Sequence, residues 1–222
     1  MSTRTGGIST GHYASLNLGG HVQDDPVSVA ANRALLRQIL PAEPVWLNQV
    51  HGTVVVQADS VNGVPDADAI FTRVPNTVCA VLTADCLPVL FCVRDGSVVA
   101  AAHAGWRGLA AGVLEAALAA IQVPPGDVMA WMGVAIGPDA FEVGDEVRDR
   151  FIADYSESAT AFFPHHGKWL ADIYALTRIR LKACGVTAVY GGGLCTYTDA
   201  TRFYSYRRDG KTGRMASLIW LE

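Results

Sequence analysis

Residues 77–103 read TVCAVLTADCLPVLFCVRDGSVVAAAH, short apolar runs rich in branched side chains with polar or glycine-bearing breaks between them. Runs of this length bounded by turn residues read as strands, because branched side chains pack well on a pleated surface and a helix needs a longer periodic stretch. The same texture extends backward through AIFT (69–72), TVVVQA (53–58) and VWLNQV (45–50), so the span from Pro44 to His103 is expected to form a sheet. Helical signals flank it. Upstream, Asp24-Asp25-Pro26 puts acids at a cap and proline in the first turn, followed by Val29, Leu35, Leu36 and Ile39 up to a stop at Pro41, with Arg33 riding on the helix. Downstream, alanine-rich sequence predicts one helix from Trp106 to Ile121, ending before Pro124-Pro125.

Further along, VMAWMGVAIGP (128–138) reads as a buried strand ending in a turn at Gly137-Pro138. Helices are expected near Asp145 to Phe151 and Leu170 to Cys184, the latter stopped by Gly185, and closing strands at TAVY, RFYSYR and MASLIWL. Strands in runs, with helices between only some of them, predict an α+β fold. No repeat, linker or low-complexity block divides the chain, so residues 1–222 are expected to form a single domain.

The chain carries 21 acidic and 17 basic side chains, a formal charge of −4, and the basic residues are dispersed until the Arg207-Arg208 pair. Nothing in that distribution suits a nucleic-acid duplex. The first twenty residues lack the apolar core of a signal peptide, and no stretch approaches the roughly 18 apolar residues of a membrane span. A cytoplasmic protein without a membrane partner is the expectation. Its five cysteines are odd in number and never form a CxxC pair, which argues against a disulfide framework and a zinc ribbon.

Three ligand-type residues sit where apolar runs stop or start: His51 after WLNQV, Cys86 in TADC, and His103 after VVAAA. Their spacing matches no short metal signature, and satisfied structural histidines with a buried inert cysteine give the same pattern. If the three meet, two imidazoles and a thiolate suit zinc and leave one coordination position for water or substrate, which is the pattern of a catalytic site. Asp85, beside Cys86, either moves protons or holds a ligand by a hydrogen bond. The stretch HAGWRG (103–108) is either an anion-binding strand-to-helix junction or only a tight turn. The segment FYSYRR (203–208) either stacks a base and grips an anion or forms an alternating edge strand. His12, His21, His165 and His166 stand in loops and need no special role. Cys79, Cys92 and Cys184 read as core, and Cys195 is ambiguous.

Taken together, ASLNLGGHVQDDP with Asn32-Arg33, LNQVHG, DADAIFT, TADCLPVLF, AAHAGWRGLAAGV, GVAIGPDAFEVG and CTYTDATRFYSYRRDGKTGRMASLIWL resemble the YfiH family, also called the laccase-domain or multicopper polyphenol oxidase family. The stretches span nearly the whole chain in one order. The resemblance implies that His51, Cys86 and His103 are zinc ligands, with copper as the alternative ion. It also implies a four-layer α/β/β/α sandwich with mixed sheets, and binding roles near the metal for Asn17 and Arg33. The chain departs from the pattern at Asp139-Ala140, where other members have cysteines, so any role of a cysteine there has no bearer here.

Members of the family are named in bacteria as purine nucleoside phosphorylase or peptidoglycan editing factor. The activity implied first is phosphorolysis of adenosine, inosine or 5′-methylthioadenosine, with purine nucleoside and phosphate as small-molecule partners and deamination of adenosine beside it. Deamination suits a metal-activated water with Asp85 shuttling protons. Phosphorolysis needs cations around phosphate and an emerging oxocarbenium sugar, for which Arg33, Arg107 and the HAGWRG turn are candidates. The alternative is an amidase editing a peptidoglycan precursor, using a metal hydroxide or Cys86 as nucleophile with His103 as base. A third reading is a structural metal module that only binds a partner. With six histidines in the chain, copper-dependent polyphenol oxidation is expected to be weak or incidental.

Overall fold

The computed structural model describes residues 1–222. Chain order begins with α1 (Pro26–Arg37), β1 (Val55–Gln57), β2 (Ala69–Thr72), β3 (Cys79–Thr83), β4 (Leu87–Val93) and β5 (Val99–Ala104). It continues with α2 (Trp106–Ala111), α3 (Val113–Ile121), β6 (Val128–Met132), β7 (Glu142–Val143) and α4 (Asp145–Asp154). The last third holds β8 (Phe162–His165), β9 (Lys168–Ala171), α5 (Ile173–Ala183), β10 (Ala188–Gly191), α6 (Tyr206–Asp209) and β11 (Met215–Ile219).

Most of the apolar runs become a mixed six-stranded sheet in the order β1-β2-β5-β4-β6-β10, parallel at its two outer pairs and antiparallel between. Side chains alternate across it with the period of two that a strand imposes. On one face Ala100, Ala102 and Ala104 of β5, with Val89 and Phe91 of β4, pack against Val113, Leu114, Ala117 and Ile121 of α3 and Ile173 and Leu176 of α5. On the other, Ala101 and Ile70 meet Cys79 and Val81 of β3. The antiparallel pair β3-β11 forms this second sheet, and its outer side, Ala80, Leu82 and Ala216, is covered by Leu36 of α1 with Leu18, Leu40 and Trp46. Helices, six-stranded sheet, two-stranded sheet and α1 thus make four layers of one α+β domain. Each large apolar side chain fully buried between them contributes roughly 1.5–3 kcal/mol. No helix is long and apolar enough to cross a membrane.

The first helix starts as its sequence dictates: Asp25 accepts hydrogen bonds from the backbone of Val27 (3.3 Å) and Ser28 (3.1 Å), and Pro26 occupies the first turn. Several expectations need correction. VWLNQV pairs only through isolated bridges at Val45 and Asn48, because the side chain of Gln49 bonds both backbone groups of Leu82 where a ladder would continue. The helix over 106–121 is two helices, since Gly112 takes a left-handed conformation (φ 100°) between α2 and α3. The strand over 128–138 stops at Met132. The helix near 170–184 starts at Ile173 behind its cap Asp172, and the preceding residues form β9 in a small β7-β9-β8 sheet. RFYSYR is not a strand: Ser205 caps the short α6 through the Arg208 amide (3.2 Å).

Candidate metal centre

The stacking of two sheets brings a strand end, an inter-strand turn and a loop together. His103 is the penultimate residue of β5, 3 % exposed, and points to the same side as Ala101, toward the second sheet. Cys86 closes the turn from β3 to β4, which reverses through a left-handed Asp85 (φ 86°). His51 sits in a loop, itself left-handed (φ 61°). The ligand atoms of the three residues lie within 4.8 Å of one another, with Cys86 Sγ 3.7 Å from His51 Nε2.

This cluster can hold one metal ion. Two imidazoles and a thiolate suit a borderline-soft divalent cation, which bonds such donors at about 2.0–2.3 Å. The surroundings fit as well. A Cβ on Gly105 would stand 2.7 Å from His51 Cδ2 and 3.0 Å from Cys86 Sγ, so only glycine lets α2 begin against the cluster. His103 Nδ1 is bonded to Asp68 Oδ1 at 2.8 Å, which leaves Nε2 for a ligand bond, the arrangement that fixes metal-bound histidines.

Nothing in the sequence marks Asp68 apart from its neighbour Asp66. The Asp68 carboxylate is fully buried, and besides His103 it accepts hydrogen bonds from the backbone N–H groups of Val50 (3.2 Å), His51 (3.0 Å) and Gly52 (2.6 Å). Stripping water from a carboxylate costs several kcal/mol, and charge-assisted hydrogen bonds of roughly 1.5–3 kcal/mol each offset it. One side chain thereby orients both imidazoles. Burial opposes the Asp68 charge, but the His103 bond and the Gly52 and His51 amides outweigh it and hold the carboxyl below its ordinary range.

Burial alone pushes the Cys86 thiol up. The charge of His103 and hydrogen bonds from His103 and His51 reverse that and bring it down to about 6. Burial likewise disfavours a charged His103, yet the Cys86 thiolate and the Asp68 hydrogen bond raise it to about 9. Each charge of the metal-free pair thus favours the other, thiolate with imidazolium. By contrast, burial pushes the Cys79 thiol up to about 12, the state of an inert core cysteine.

The cluster forms the wall of a cavity of about 520 Å³, of a size for a small organic ligand. Aromatic surface comes from Trp106, Phe141 and Tyr206, and positive charge from Arg107, Arg207 and Arg214. Arg107 stacks its guanidinium 4.4 Å from the Trp106 ring. Asp85 lines the cavity, but its oxygens accept from Thr196 Oγ1 (2.5 Å) and the Arg207 amide (2.6 Å), so it ties α6 to the metal loop. Arg33 and Asn17 lie outside the cavity lining. Arg33 donates twice to the Leu18 carbonyl (3.0 and 2.8 Å) and stacks on Trp46, and Asn17 is fully buried. His21, for which no role was expected, lines the cavity, as do Gln49 and Arg214. For Tyr206 and Arg207 the aromatic-cationic pattern of FYSYRR was the available signal. For Arg214 there was none beyond a cation preceding a strand.

Residues 1–222 match the family described as multi-copper polyphenol oxidoreductase laccase. Over 224 residues the chain is 56 % identical to a purine nucleoside phosphorylase of Pseudomonas aeruginosa, covering 100 % of this chain and 92 % of the relative. It is 54 % identical over 226 residues to the purine nucleoside phosphorylase YfiH of Escherichia coli K12, covering 99 % and 92 %. Among solved structures, protein NMB0706 of Neisseria meningitidis superposes with a TM-score of 0.96 at 57 % identity, covering 99 % of this chain and 92 % of the other. Protein YlmD of Geobacillus stearothermophilus superposes at 0.91 with 32 % identity, covering 99 % and 90 %.

Proposed function

The chain belongs to the multi-copper polyphenol oxidoreductase laccase family, and on that premise we propose that it is a zinc-dependent purine nucleoside phosphorylase acting on adenosine, inosine and 5′-methylthioadenosine, with adenosine deaminase activity in the same site. Relatives named purine nucleoside phosphorylase support the broad activity. The observation that carries it is one cavity in which the His51, Cys86 and His103 cluster adjoins flat aromatic walls and three guanidinium groups. A purine nucleoside needs the first two, and phosphate needs the third.

When bound at His51, Cys86 and His103, zinc supplies Lewis-acid polarisation. The remaining work falls to side chains. Tyr206, Phe141 and Trp106 offer faces on which a purine stacks and from which water is displaced. Phosphorolysis breaks the bond from C1′ to the purine nitrogen and forms a bond from C1′ to a phosphate oxygen, and the arginines hold the phosphate charge at the sugar. Asp85 acts by positioning, since both its oxygens already hold Thr196 and α6. The family description names copper oxidation, but His51, Cys86 and His103 are the single cluster able to hold a metal, which supports at most incidental polyphenol oxidation.

A second reading is favoured by a specific alignment. Cys86, His103 and Asp68 stand as nucleophile, base and orienting carboxylate, the order of a cysteine amidase, as an enzyme editing a peptidoglycan precursor would use. A thiolate held by a metal does not attack an amide, so metal loading separates the two.

The test incubates the metal-loaded protein with adenosine, with and without phosphate, and separately with a muramyl-peptide precursor. The expected result is adenine and ribose 1-phosphate only when phosphate is present, with inosine from deamination. Cleavage of the precursor alone, persisting after metal removal, would replace this function with the amidase.

A further inference from the structure

The cavity holds a cation that forms no ion pair with any carboxylate. Arg214 is partly buried in the cavity wall, and its Nη1 donates to the carbonyls of Thr212 (3.0 Å) and Gly213 (3.0 Å), while Nε and Nη2 have no protein acceptor. No carboxylate pairs with it. Its pKa is lowered, chiefly by burial, which outweighs the pull of the nearby Cys86 and Asp85 charges; a guanidinium keeps its proton at any working pH, so a desolvated cation with two unused donors remains.

The chain builds a seat for this side chain from the SLNLG segment. Asn17 is 0 % exposed, and its Oδ1 accepts from the Arg214 amide (2.9 Å) and the Gly19 amide (2.9 Å). Its Nδ2 is held by Asp24 Oδ2 at 2.9 Å. A Cβ on Gly19 would meet Arg214 Cγ at 2.8 Å, so the missing side chain is what lets the arginine stem lie along the turn. A polar residue this deeply buried, spent on holding the backbone of an arginine at a cavity, is a positioning device.

Arginines outnumber carboxylates in the cavity around it. Arg107 and Arg207 share the lining, and the Asp85 oxygens are engaged by Thr196 and the Arg207 amide, while burial and the Arg214 charge disfavour a charged His21. Since the whole chain carries −4, this local excess of cations is a feature of the site, and a cleft of one sign concentrates ligands of the other. Arg207 is more exposed and its Nη1 is occupied by the Glu142 carbonyl (2.9 Å); Arg107 is exposed and stacked on Trp106. Arg214 is the least exposed of the three and keeps a free donor edge.

We propose that Arg214 is the anchor of an oxyanion subsite beside the metal cluster, taking a tetrahedral phosphate through its Nε–Nη2 edge, with Asn17 and Gly19 as the positioning residues that aim it. Two parallel N–H donors match a phosphate edge bidentately, which a lysine cannot do. The role implied for Asn17 is thus exerted through Arg214 and not on the substrate. That the phosphate is the free ion rests on the phosphorylase reading; a phosphate carried by a larger substrate offers the same chemistry.

The metal-loaded wild type, Arg214→Gln and Arg214→Lys are titrated calorimetrically with inorganic phosphate and, separately, with uridine diphosphate, and phosphate and adenosine KM values are measured. Arg214→Gln is expected to weaken phosphate roughly 10- to 100-fold with adenosine KM and metal content held, and Arg214→Lys to fall between. A folded, metal-replete Arg214→Gln that binds phosphate like wild type overturns the proposal, as does a wild type that binds neither probe. Should Arg214→Gln fail to fold, Arg214→Lys decides, because wild-type phosphate affinity there rules out the fork. Arg214-dependent phosphate binding without nucleoside cleavage supports the subsite and overturns the phosphorylase reading. Arg214-dependent binding of uridine diphosphate alone supports the subsite and assigns it to a substrate-borne phosphate.

Discussion

Asp68→Asn is expected to bind metal roughly 10- to 100-fold more weakly than wild type, although Asp68 lies outside the proposed ligand set. In the wild type Oδ1 receives His51 N and His103 Nδ1, and Oδ2 receives Val50 N and Gly52 N. An asparagine has one acceptor, so whichever way its amide turns, an NH2 group faces two donors. Replacing charge-assisted bonds by donor–donor contacts costs roughly 1.5–3 kcal/mol, felt by the loop that carries His51 and by the ring of His103. Measured as metal affinity by competition with a chelator, the loss separates this role from a merely structural one, provided the metal-free variant retains its secondary structure. Wild-type affinity in a folded Asp68→Asn would remove Asp68 from the account. The sign of its pH dependence follows from its lowered pKa: the stability it gives is complete above the ordinary carboxylate range and is lost as pH falls through the folded-state value.

Gly105→Ala adds a single methyl and is expected to cost about as much. The backbone at Gly105 (φ −60°, ψ 153°) is open to alanine, so the chain trace is not strained. The new Cβ would stand 2.7 Å from His51 Cδ2 and 3.0 Å from Cys86 Sγ, and the imidazole can swing away only by carrying Nε2 off the shared point. Overpacking of this kind costs roughly 1–3 kcal/mol, equivalent to about 10- to 100-fold in metal affinity. The melting temperature of the metal-free variant should stay near wild type while metal affinity and activity fall together. An alanine variant with unchanged metal binding would mean that the three side chains do not share an ion in this geometry.

The ligand-type residues were legible because each breaks an apolar run at its end, and strand ends of stacked sheets converge. Asp68 was not, and the reason is local. Asp66 and Asp68 flank one alanine in DADAIF, yet Asp66 faces solvent and bonds Asn48 at 2.7 Å, while Asp68 is sealed under the His51 loop. Alternation says that they share a side of the strand but not how deep each lies, which depends on the loop laid over them. Arg214 depends on an even longer reach, to Asn17 at the opposite end of the chain. Among the elements, the alternating aromatics of RFYSYR imitate an edge strand, and only the Ser205 cap betrays the helical turn that presents Tyr206 and Arg207. The last residues of β9, Leu170 and Ala171, fit a helix as well as a strand, and the pairing of Leu170 with Glu142 and Phe163 decides for the strand.

The most direct measurement is a titration of the metal-free protein with cobalt(II), followed by thiolate-to-metal charge-transfer absorption. The account predicts a band that saturates at one equivalent and is abolished in Cys86→Ser. A wild type without such a band, or a band that survives in Cys86→Ser, would contradict the gathering of His51, Cys86 and His103 on one ion.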